Sequence, residues 1–230
     1  IPIIDLFAGP GGLGEGFSNS IDGNYPFKIG LSVEKDSIAH KTLTLRSFFR
    51  QFIHSKMEIP KEYYEYISGK ITIEELRNTH PIFWEIARKE ALCAELGNPE
   101  KIHQPLIDER ISNTLNGKDD WVLIGGPPCQ AYSIIGRSCI LGYLKSDRSK
   151  KSVSDFDNDN RHHLYKQYLR IIAQHRPAIF VMENVKGILS SKYGGKKIFP
   201  AILEDLRDPT KAAKDYGWKN LKKSSYKILS

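Results

Sequence analysis

The sequence predicts an α/β fold built on a doubly wound parallel sheet, and two observations lead to this prediction. Short apolar runs of the kind that form buried strands recur along the chain, and stretches with the apolar spacing of helices lie between them. The first run leads at once into a cluster of glycines, which is typical of a strand that enters a tight turn and then a helix. The predicted strands are at 1–7, 29–33, 121–124 and 178–182.

The segments between these strands favour helices. Asp36 is placed to cap a helix that runs towards Phe52. From about residue 53 to residue 104, aromatic and charged residues recur at helical spacing, and we interpret this stretch as a helical insertion in a single catalytic domain that spans 1–230. Weaker strand patterns are found at 103–107 and 225–230.

Composition excludes several classes of protein. The 230 residues are 40% hydrophobic and 27% charged, which argues against a disordered or coiled-coil chain. The apolar runs are far shorter than the roughly 20 residues that cross a bilayer, so we expect no membrane span and a cytoplasmic location, or a nuclear one in a eukaryote. Three cysteines without Cys-x-x-Cys spacing predict neither a disulfide framework nor a zinc site. The net charge of +7 is compatible with a polyanionic partner.

The glycine cluster is the first motif that carries chemistry. Gly9, Gly11 and Gly14 satisfy a Gly-x-Gly-x-x-Gly pattern between a strand and a helix, and Glu34 ends the second predicted strand 20 residues later. Glycines let the backbone approach a ligand, and an acidic residue at that position accepts hydrogen bonds from ribose hydroxyls. The pattern fits NAD and S-adenosylmethionine equally well, so by itself it does not separate them.

A thiol follows the third predicted strand. Residues 125–130 read Gly-Gly-Pro-Pro-Cys-Gln, which places Cys129 just beyond the carboxyl end of a strand, where open α/β sheets bind ligands. Two prolines fix the backbone ahead of this thiol. The polar stretch 133–159 behind it predicts a long mobile loop, and loops of that length in compact domains are usually functional or disordered.

A carboxyl group follows the fourth predicted strand. Glu183 and Asn184 come directly after an apolar run, and we expect the flanking apolar residues to desolvate Glu183 so that it donates a proton near neutral pH. A cysteine nucleophile and a carboxylic acid at neighbouring strand ends suit covalent catalysis on an electron-poor ring that is protonated as it is attacked.

Taken together, these segments resemble the DNA (cytosine-5) methyltransferase family. Residues 5–12, Asp-Leu-Phe-Ala-Gly-Pro-Gly-Gly, resemble its cofactor turn; 127–130 resemble its catalytic Pro-Cys-Gln segment, and 183–185 its Glu-Asn-Val segment. The three occur in the family's order, and the resemblance spans about residues 1 to 190. Asp159-x-Arg161-x-x-Leu164 and Asp108, 21 residues before Cys129, are weaker matches, and Asp108 is followed by Glu109 where the family has isoleucine.

The resemblance implies a Rossmann-like, S-adenosylmethionine-dependent enzyme that acts on double-stranded DNA. Cys129 would add to C6 of a flipped cytosine while Glu183 holds N3 and the exocyclic amine. C5 would then take the methyl group, leaving S-adenosylhomocysteine. Asn184 would position the neighbouring loop, and Arg161 would contact the sugar-phosphate backbone. The resemblance implies neither a metal nor a membrane, and we expect a monomer. The cofactor residues it implies are Phe7, Ala8, Gly9, Gly11, Gly12, Leu13, Glu34, Asp108, Pro128 and Leu164.

Several alternatives stay open at this point. The family's Gln-Arg-Arg segment, target recognition domain and final helix have no counterpart before residue 230, so we expect the N-terminal catalytic half of a longer enzyme of a restriction-modification or orphan modification system. The transfer-RNA cytosine-5 methyltransferases share the same motifs, although residues 131–133, Ala-Tyr-Ser, resemble the DNA-modifying members. A nicotinamide-dependent oxidoreductase leaves Cys129 and Glu183 without a role. A catalytically silent relative that binds cofactor or DNA is the non-enzymatic alternative.

Overall fold

The protein divides into two compact units, residues 1–95 and residues 96–230. The computed structural model describes residues 1–19, 21, 23–97, 104–128, 160–190, 192–193 and 196–230. Each unit has parallel strands and packed helices of its own.

The first unit contains three parallel strands in the order β3, β2, β1. Leu6 of β1 lies opposite Val33 of β2, and Glu34 at the end of β2 lies opposite Cys93 of β3. The strands and helices of this unit are β1 (Pro2–Leu6), α1 (Gly12–Phe17), β2 (Lys28–Glu34), α2 (Ser37–His54), α3 (Lys61–Ile67), α4 (Ile73–Thr79), α5 (Pro81–Glu90) and β3 (Ala91–Cys93).

Helix α2 begins where the sequence predicts. Asp36 is its N-cap, and its Oδ1 accepts hydrogen bonds from the backbone N–H groups of Ile38 (2.9 Å) and Ala39 (2.8 Å). This cap satisfies two of the donors that every helix leaves unpaired at its first turn. The sequence interpretation of Asp36 as a cap is therefore confirmed.

The helical stretch after α2 packs on it through an aromatic cluster. Phe48 and Phe52 of α2 contact Trp84 and Ala87 of α5 and Leu76 of α4, and all five are buried. The guanidinium of Arg77 lies 4.9 Å from the centre of the Trp84 ring. Helices therefore occupy much of the stretch interpreted as helical, but strand β3 follows α5 within it. The sequence reading missed β3 because three residues are too few to show a period.

The second unit has a parallel pair of strands, β4 and β5, in which Gly125 lies opposite Met182. A 3-10 helix, Lys186–Leu189, follows β5, and a small antiparallel pair follows that helix. The remaining strands and helices are α6 (Gln104–Leu115), β4 (Val122–Gly125), α7 (Asn160–His175), β5 (Ile179–Met182), β6 (Lys192–Tyr193), β7 (Lys196–Lys197), α8 (Phe199–Arg207) and α9 (Pro209–Asp215).

Two predicted strands are wrong. Residues 104–107 open helix α6, since Ile107, Ile111 and Leu115 recur every four residues and are buried together on one face. Residues 225–230 form neither strand nor helix. The backbone N–H of Tyr226 donates to the carbonyl of Arg207 (2.9 Å), and its hydroxyl donates to the carbonyl of Pro177 (2.9 Å). The C-terminal segment is thus held by isolated hydrogen bonds.

The predicted parallel, Rossmann-like α/β fold is confirmed by the five parallel strands in the described part of the chain and by the helices between them. The predicted loop at 133–159 falls outside the described residues. None of the described helices has the length and apolar character that crossing a membrane requires.

Candidate active site

The glycine turn follows β1 and has a backbone that few side chains tolerate. Phe7 has a φ of 58°, Gly9 of 56° and Gly11 of 91°. A positive φ costs a glycine little, but in a residue with a side chain such as Phe7 it stores strain, which clusters at binding and catalytic sites. The N–H of Ala8 donates to the Val33 carbonyl at 3.1 Å, which anchors the turn to β2.

Glu34 ties this turn to the start of α2. It is the last residue of β2 and is only 9% exposed. Its Oε2 accepts a hydrogen bond from the Gly9 N–H at 2.7 Å, and its Oε1 accepts one from the Asp36 N–H at 2.7 Å. Each carboxylate oxygen keeps a second lone pair, so Glu34 can still accept hydrogen bonds from ribose hydroxyls.

Two glycines of the turn face open space. A Cβ added at Gly9 or Gly12 would meet no atom within 4 Å, whereas one at Gly11 would lie 2.8 Å from Leu43 Cδ1. Gly9 and Gly12 therefore border open space, and Gly11 is pressed against the core. A turn with open space over its glycines and an acidic residue at the neighbouring strand end suits an adenosine-containing cofactor.

Asp5 is a buried acid on β1 beneath α1. It is 1% exposed, and neither carboxyl oxygen has a hydrogen-bond partner among the described residues. Gly14 of α1 passes directly over it, since a Cβ at Gly14 would lie 3.0 Å from Asp5 Oδ2. Burial raises the pKa of Asp5 to about 7; Arg50 opposes this rise, and Glu34 and Glu90 add to it.

A second group of residues lies where β4 and β5 end. The N–H of Glu183 donates to the Gly125 carbonyl at 3.0 Å, which continues the pairing of the strands by one residue. The Asn184 side chain uses both of its polar atoms: Nδ2 donates to the Pro127 carbonyl at 2.9 Å, and Oδ1 accepts from the Val185 N–H at 3.0 Å. The segment that leads to Cys129 is thereby tied to the Glu-Asn-Val segment.

Glu183 lies against a glycine but is exposed to solvent. A Cβ at Gly126 would be 3.1 Å from Glu183 Oε2, so the carboxylate lies over a position that has no side chain. The expectation that apolar neighbours desolvate Glu183 is wrong for this structure, because Val185 is exposed and Met182 is only half-buried. The carboxylate is therefore open to an incoming ligand.

The remaining predicted residues are placed as follows. Pro128 is exposed, and Leu164 is buried in α7. Ala8 is buried and Leu13 half-buried in the first unit. Cys129 and the side chain of Arg161 lie outside the described part of the protein. Among the described residues, no group of three or more His, Cys, Asp or Glu side chains could hold a metal ion.

Asp108, predicted to contact adenine, is engaged by two side chains of its own unit. It lies on α6, and Arg170 Nη1 donates to its two oxygens at 2.9 and 2.8 Å. His175 Nε2 is 2.8 Å from its Oδ1. Burial acts to raise the pKa of Asp108, but the hydrogen bonds from His175 and Arg170 and the charge of Arg170 lower it overall. Its position on a helix rather than at a strand end was not foreseen.

Glu95, which follows strand β3, was not identified from the sequence. The N–H of Ala94 donates to the carbonyl of Glu34 at 2.9 Å, so Glu95 lies next to the end of β2. The Lys35 ammonium is 3.7 Å from Glu95 Oε1. The apolar pair Ala91-Leu92 directly before Cys93 is the signal that marks this strand end.

A parallel α/β unit with a glycine turn after β1 and an acidic residue at the end of β2 is the arrangement of nucleotide-cofactor-binding α/β proteins. The family model described as C-5 cytosine-specific DNA methylase matches residues 84–210, which is more than half of the chain. The chain belongs to this family.

Relatives extend the similarity beyond that range. A type II methyltransferase of Bacillus paralicheniformis, M.Bpa9945I, is 35% identical over 217 residues, which cover 89% of this chain and 44% of the relative. A putative type II methyltransferase of Methanocaldococcus jannaschii, M.MjaORF1200P, is 28% identical over 94% of this chain and 57% of its own length. The DNA (cytosine-5-)-methyltransferase M.ApeKI of Aeropyrum pernix is 36% identical over 92 residues, or 40% of this chain and 17% of its own. The chain thus spans between 17% and 57% of these relatives.

Proposed function

We propose that the protein methylates C5 of cytosine in double-stranded DNA, with S-adenosylmethionine as the methyl donor and S-adenosylhomocysteine as the product. One observation carries this proposal: the hydrogen bond from Asn184 to the Pro127 carbonyl joins the segment before Cys129 to the segment that holds Glu183. Membership of the family and the names of the relatives, type II methyltransferases, support the same reaction and a role in a restriction-modification system.

In the proposed reaction the second unit binds the target base. The Cys129 thiolate adds to C6 of a cytosine that has left the duplex stack, and a carbon–sulfur bond forms as the C5–C6 double bond opens. Glu183 hydrogen-bonds N3 and the exocyclic amine and thereby favours protonation of the ring as the sulfur attacks. Once C5 carries the methyl group, solvent water takes the C5 proton, the electrons of that C–H bond restore the C5–C6 double bond, and the C–S bond breaks to release the thiolate. Arg161 contacts the sugar-phosphate backbone.

The first unit binds the cofactor, which supplies the electrophilic methyl group. Glu34 accepts hydrogen bonds from the ribose hydroxyls with the lone pairs that Gly9 and Asp36 leave free. The open space at Gly9 and Gly12 is proposed to bind the amino-acid end of the cofactor. Phe7, Ala8, Gly11 and Leu13 form the turn and are proposed to bind the cofactor. In the second unit, Pro128 and Leu164 are also proposed to bind it.

The acid that contacts the adenine amine has two candidates. Asp108 is the residue that the resemblance implies, but Arg170 and His175 already engage its oxygens. Glu95 follows β3 beside the end of β2, where parallel α/β units bind their ligands, whereas Asp108 lies on helix α6. This position at a strand end favours Glu95.

Covalent trapping tests the reaction. The protein is incubated with S-adenosylmethionine and duplex DNA that carries 5-fluorocytosine at mixed sites, and adducts are separated on a denaturing gel. Fluorine at C5 blocks the final loss of the proton, so the adduct accumulates. We expect a cofactor-dependent adduct that Cys129→Ser abolishes. Cys93→Ser is the matched control, because Cys93 is an exposed free thiol and its loss should leave the adduct in place. No adduct at any site would reject the proposed reaction in favour of a silent relative.

A further inference from the structure

A buried arginine on α2 joins two helices that belong to different parts of the first unit. Arg50 is 4% exposed. Its Nη1 donates to Glu15 on α1, the helix that leaves the glycine turn, and its Nη2 donates to Glu90, the last residue of α5. One guanidinium therefore ties the helix after the turn to the end of the helical stretch 61–90.

The Glu90 end of this bridge is firmly held. Glu90 is 6% exposed, and its second oxygen accepts a hydrogen bond from Gln51 Nε2 at 3.2 Å. The next residue, Ala91, begins β3, and its carbonyl lies 3.1 Å from His40 Nε2 of α2. Burial raises the pKa of Glu90, and the charge and hydrogen bond of Arg50 oppose that rise. Arg50 is thus fixed at one end to buried groups.

The Glu15 end of the bridge acts on a short helix, α1, which also packs over Asp5 of β1 through Gly14 and contacts Phe27 through Phe17. Helix α1 has six residues, and its N-cap, Gly11, offers no side chain to satisfy the first turn. Such a short helix is unstable by itself, and tertiary contacts determine its position. The Glu15 side chain is 34% exposed, so its bond to Arg50 can be removed without opening the core.

From these contacts we propose that Arg50 is a positioning residue for the cofactor turn, which it acts on through Glu15 and α1. The inference rests on the proposed function, because it assigns Gly9 to Leu13 to the cofactor. Losing the bond frees α1 to shift, so the turn spends less time in the geometry that binds ligand. A ligand that binds only the competent state then binds more weakly in proportion to that fraction.

The test uses Glu15→Gln, which removes the negative charge at the exposed end of the bridge, leaves at most a neutral hydrogen bond to Arg50, and keeps the Arg50–Glu90 pair intact. We expect the Kd for S-adenosylhomocysteine, measured by titration calorimetry, to rise roughly fivefold to tenfold, the difference between a charge-assisted and a neutral hydrogen bond. In turnover assays the KM for S-adenosylmethionine should rise while kcat at saturation stays unchanged. Arg50→Met should weaken binding at least as much, and adding Glu15→Gln to it should weaken binding no further.

The control is Arg77→Met. Arg77 lies over Trp84 in the same helical stretch and is exposed, so this variant also removes a cation that contacts the stretch but leaves the bridge intact. It should lower the melting temperature without changing the Kd. If the unmodified protein binds S-adenosylhomocysteine and Glu15→Gln binds it equally well, the positioning role is overturned. If the unmodified protein does not bind it at all, the proposed function itself has failed. Should Arg50→Met not fold, Glu15→Gln alone decides.

Discussion

The side-chain amide of Asn184 and the backbone carbonyl of Pro127 form a 2.9 Å hydrogen bond between the ends of β5 and β4. Because Pro128 separates Pro127 from Cys129 and both prolines have a fixed φ, the position of this carbonyl limits where the following residue can go. The Asn184 side chain is therefore one contact through which the end of β5 influences the segment that carries the proposed nucleophile.

Replacing the donor with an oxygen should slow the reaction. In Asn184→Asp, Oδ1 still accepts the Val185 N–H, but an oxygen faces the Pro127 carbonyl in place of Nδ2. We expect the single-turnover methylation rate to fall roughly fivefold to 150-fold, the loss for about 1–3 kcal/mol of a broken hydrogen bond. Asn220→Asp, at an exposed position, should keep the full rate. Equal rates in both variants would contradict the role of the bond.

A methyl group at Gly126 should displace the carboxylate of Glu183. The added Cβ would lie 3.1 Å from Glu183 Oε2 and 3.6 Å from the Glu183 carbonyl, so the side chain has to move by a few tenths of an ångström. We expect Gly126→Ala to lower the rate of adduct formation with 5-fluorocytosine DNA while the melting temperature changes little. Gly187→Ala is the matched control, because its Cβ would meet no atom closer than 3.9 Å. An unchanged rate in Gly126→Ala would show that Glu183 tolerates the shift.

A side chain at Gly12 should weaken ligand binding without destabilising the folded protein. Gly12 opens α1, and a Cβ there meets nothing within 4 Å, so Gly12→Ala should raise the free energy of unfolding by up to about 1 kcal/mol through helix propensity. The same methyl group would occupy the proposed cofactor space, so affinity for S-adenosylhomocysteine should fall. Gly16→Ala, on the same helix, should show the stability gain alone. Unchanged affinity in Gly12→Ala would place the cofactor elsewhere.

Stability should fall as pH rises through about 7. The folded-state pKa of Asp5 is raised to about 7, above its ordinary value of 3.8, so the native state binds the proton more tightly than the unfolded chain does. The stabilisation is complete below about pH 4 and is lost as pH rises through 7. Burial likewise raises the pKa of Asp205 to about 7, with Glu204 and Asp215 adding to the effect. Melting temperatures between pH 5 and pH 8 should fall less in Asp5→Asn than in the unmodified protein, and least in the double variant with Asp205→Asn. If the melting temperatures of all three proteins fall equally between pH 5 and pH 8, the proposed contribution of Asp5 and Asp205 is refuted.

Two substitutions that remove a negative charge distinguish the two candidates for the adenine contact. Glu95→Gln should weaken the binding of S-adenosylhomocysteine, and the loss of its ion pair with the largely exposed Lys35 should itself cost little stability. Asp108→Asn should leave binding unchanged and lower the melting temperature, because Arg170 is 4% exposed and would lose its charged acceptor. The reverse pattern, measured by calorimetry and thermal unfolding, would favour Asp108.

Local sequence signals predicted the parts of the fold that depend on neighbouring residues. The cap at Asp36, the glycine turn and the acidic end of β2 are all set by short-range chemistry, and all three are found as predicted. The strand pattern at 103–107 failed because Ile107 belongs to a helical face that becomes visible only with Ile111 and Leu115. Strand β3 was missed because its three residues take their structure from pairing with β2.

The sequence predicted which residues follow the strands β2 and β5 better than it predicted their contacts. Glu183 and Asn184 follow β5 as expected, but the exposure of Glu183 depends on what packs around it and not on its neighbours in sequence. The partners of Asp108 lie more than 60 residues away, and the bridge from Glu15 to Glu90 spans three helices. Spacing along the chain carries no signal for such long-range ion pairs.

The aromatic cluster around Phe48 also supplies an optical reporter. Trp84 is 5% exposed within it, and Trp121, in the second unit, is 1% exposed. In a Trp84→Phe variant, only the tryptophans of the second unit emit. The difference between the spectra of the unmodified protein and this variant is therefore the emission of Trp84 in the first unit. Quenching by acrylamide, followed as denaturant is added, would then reveal whether residues 1–95 and residues 96–230 lose their cores in one transition or in two.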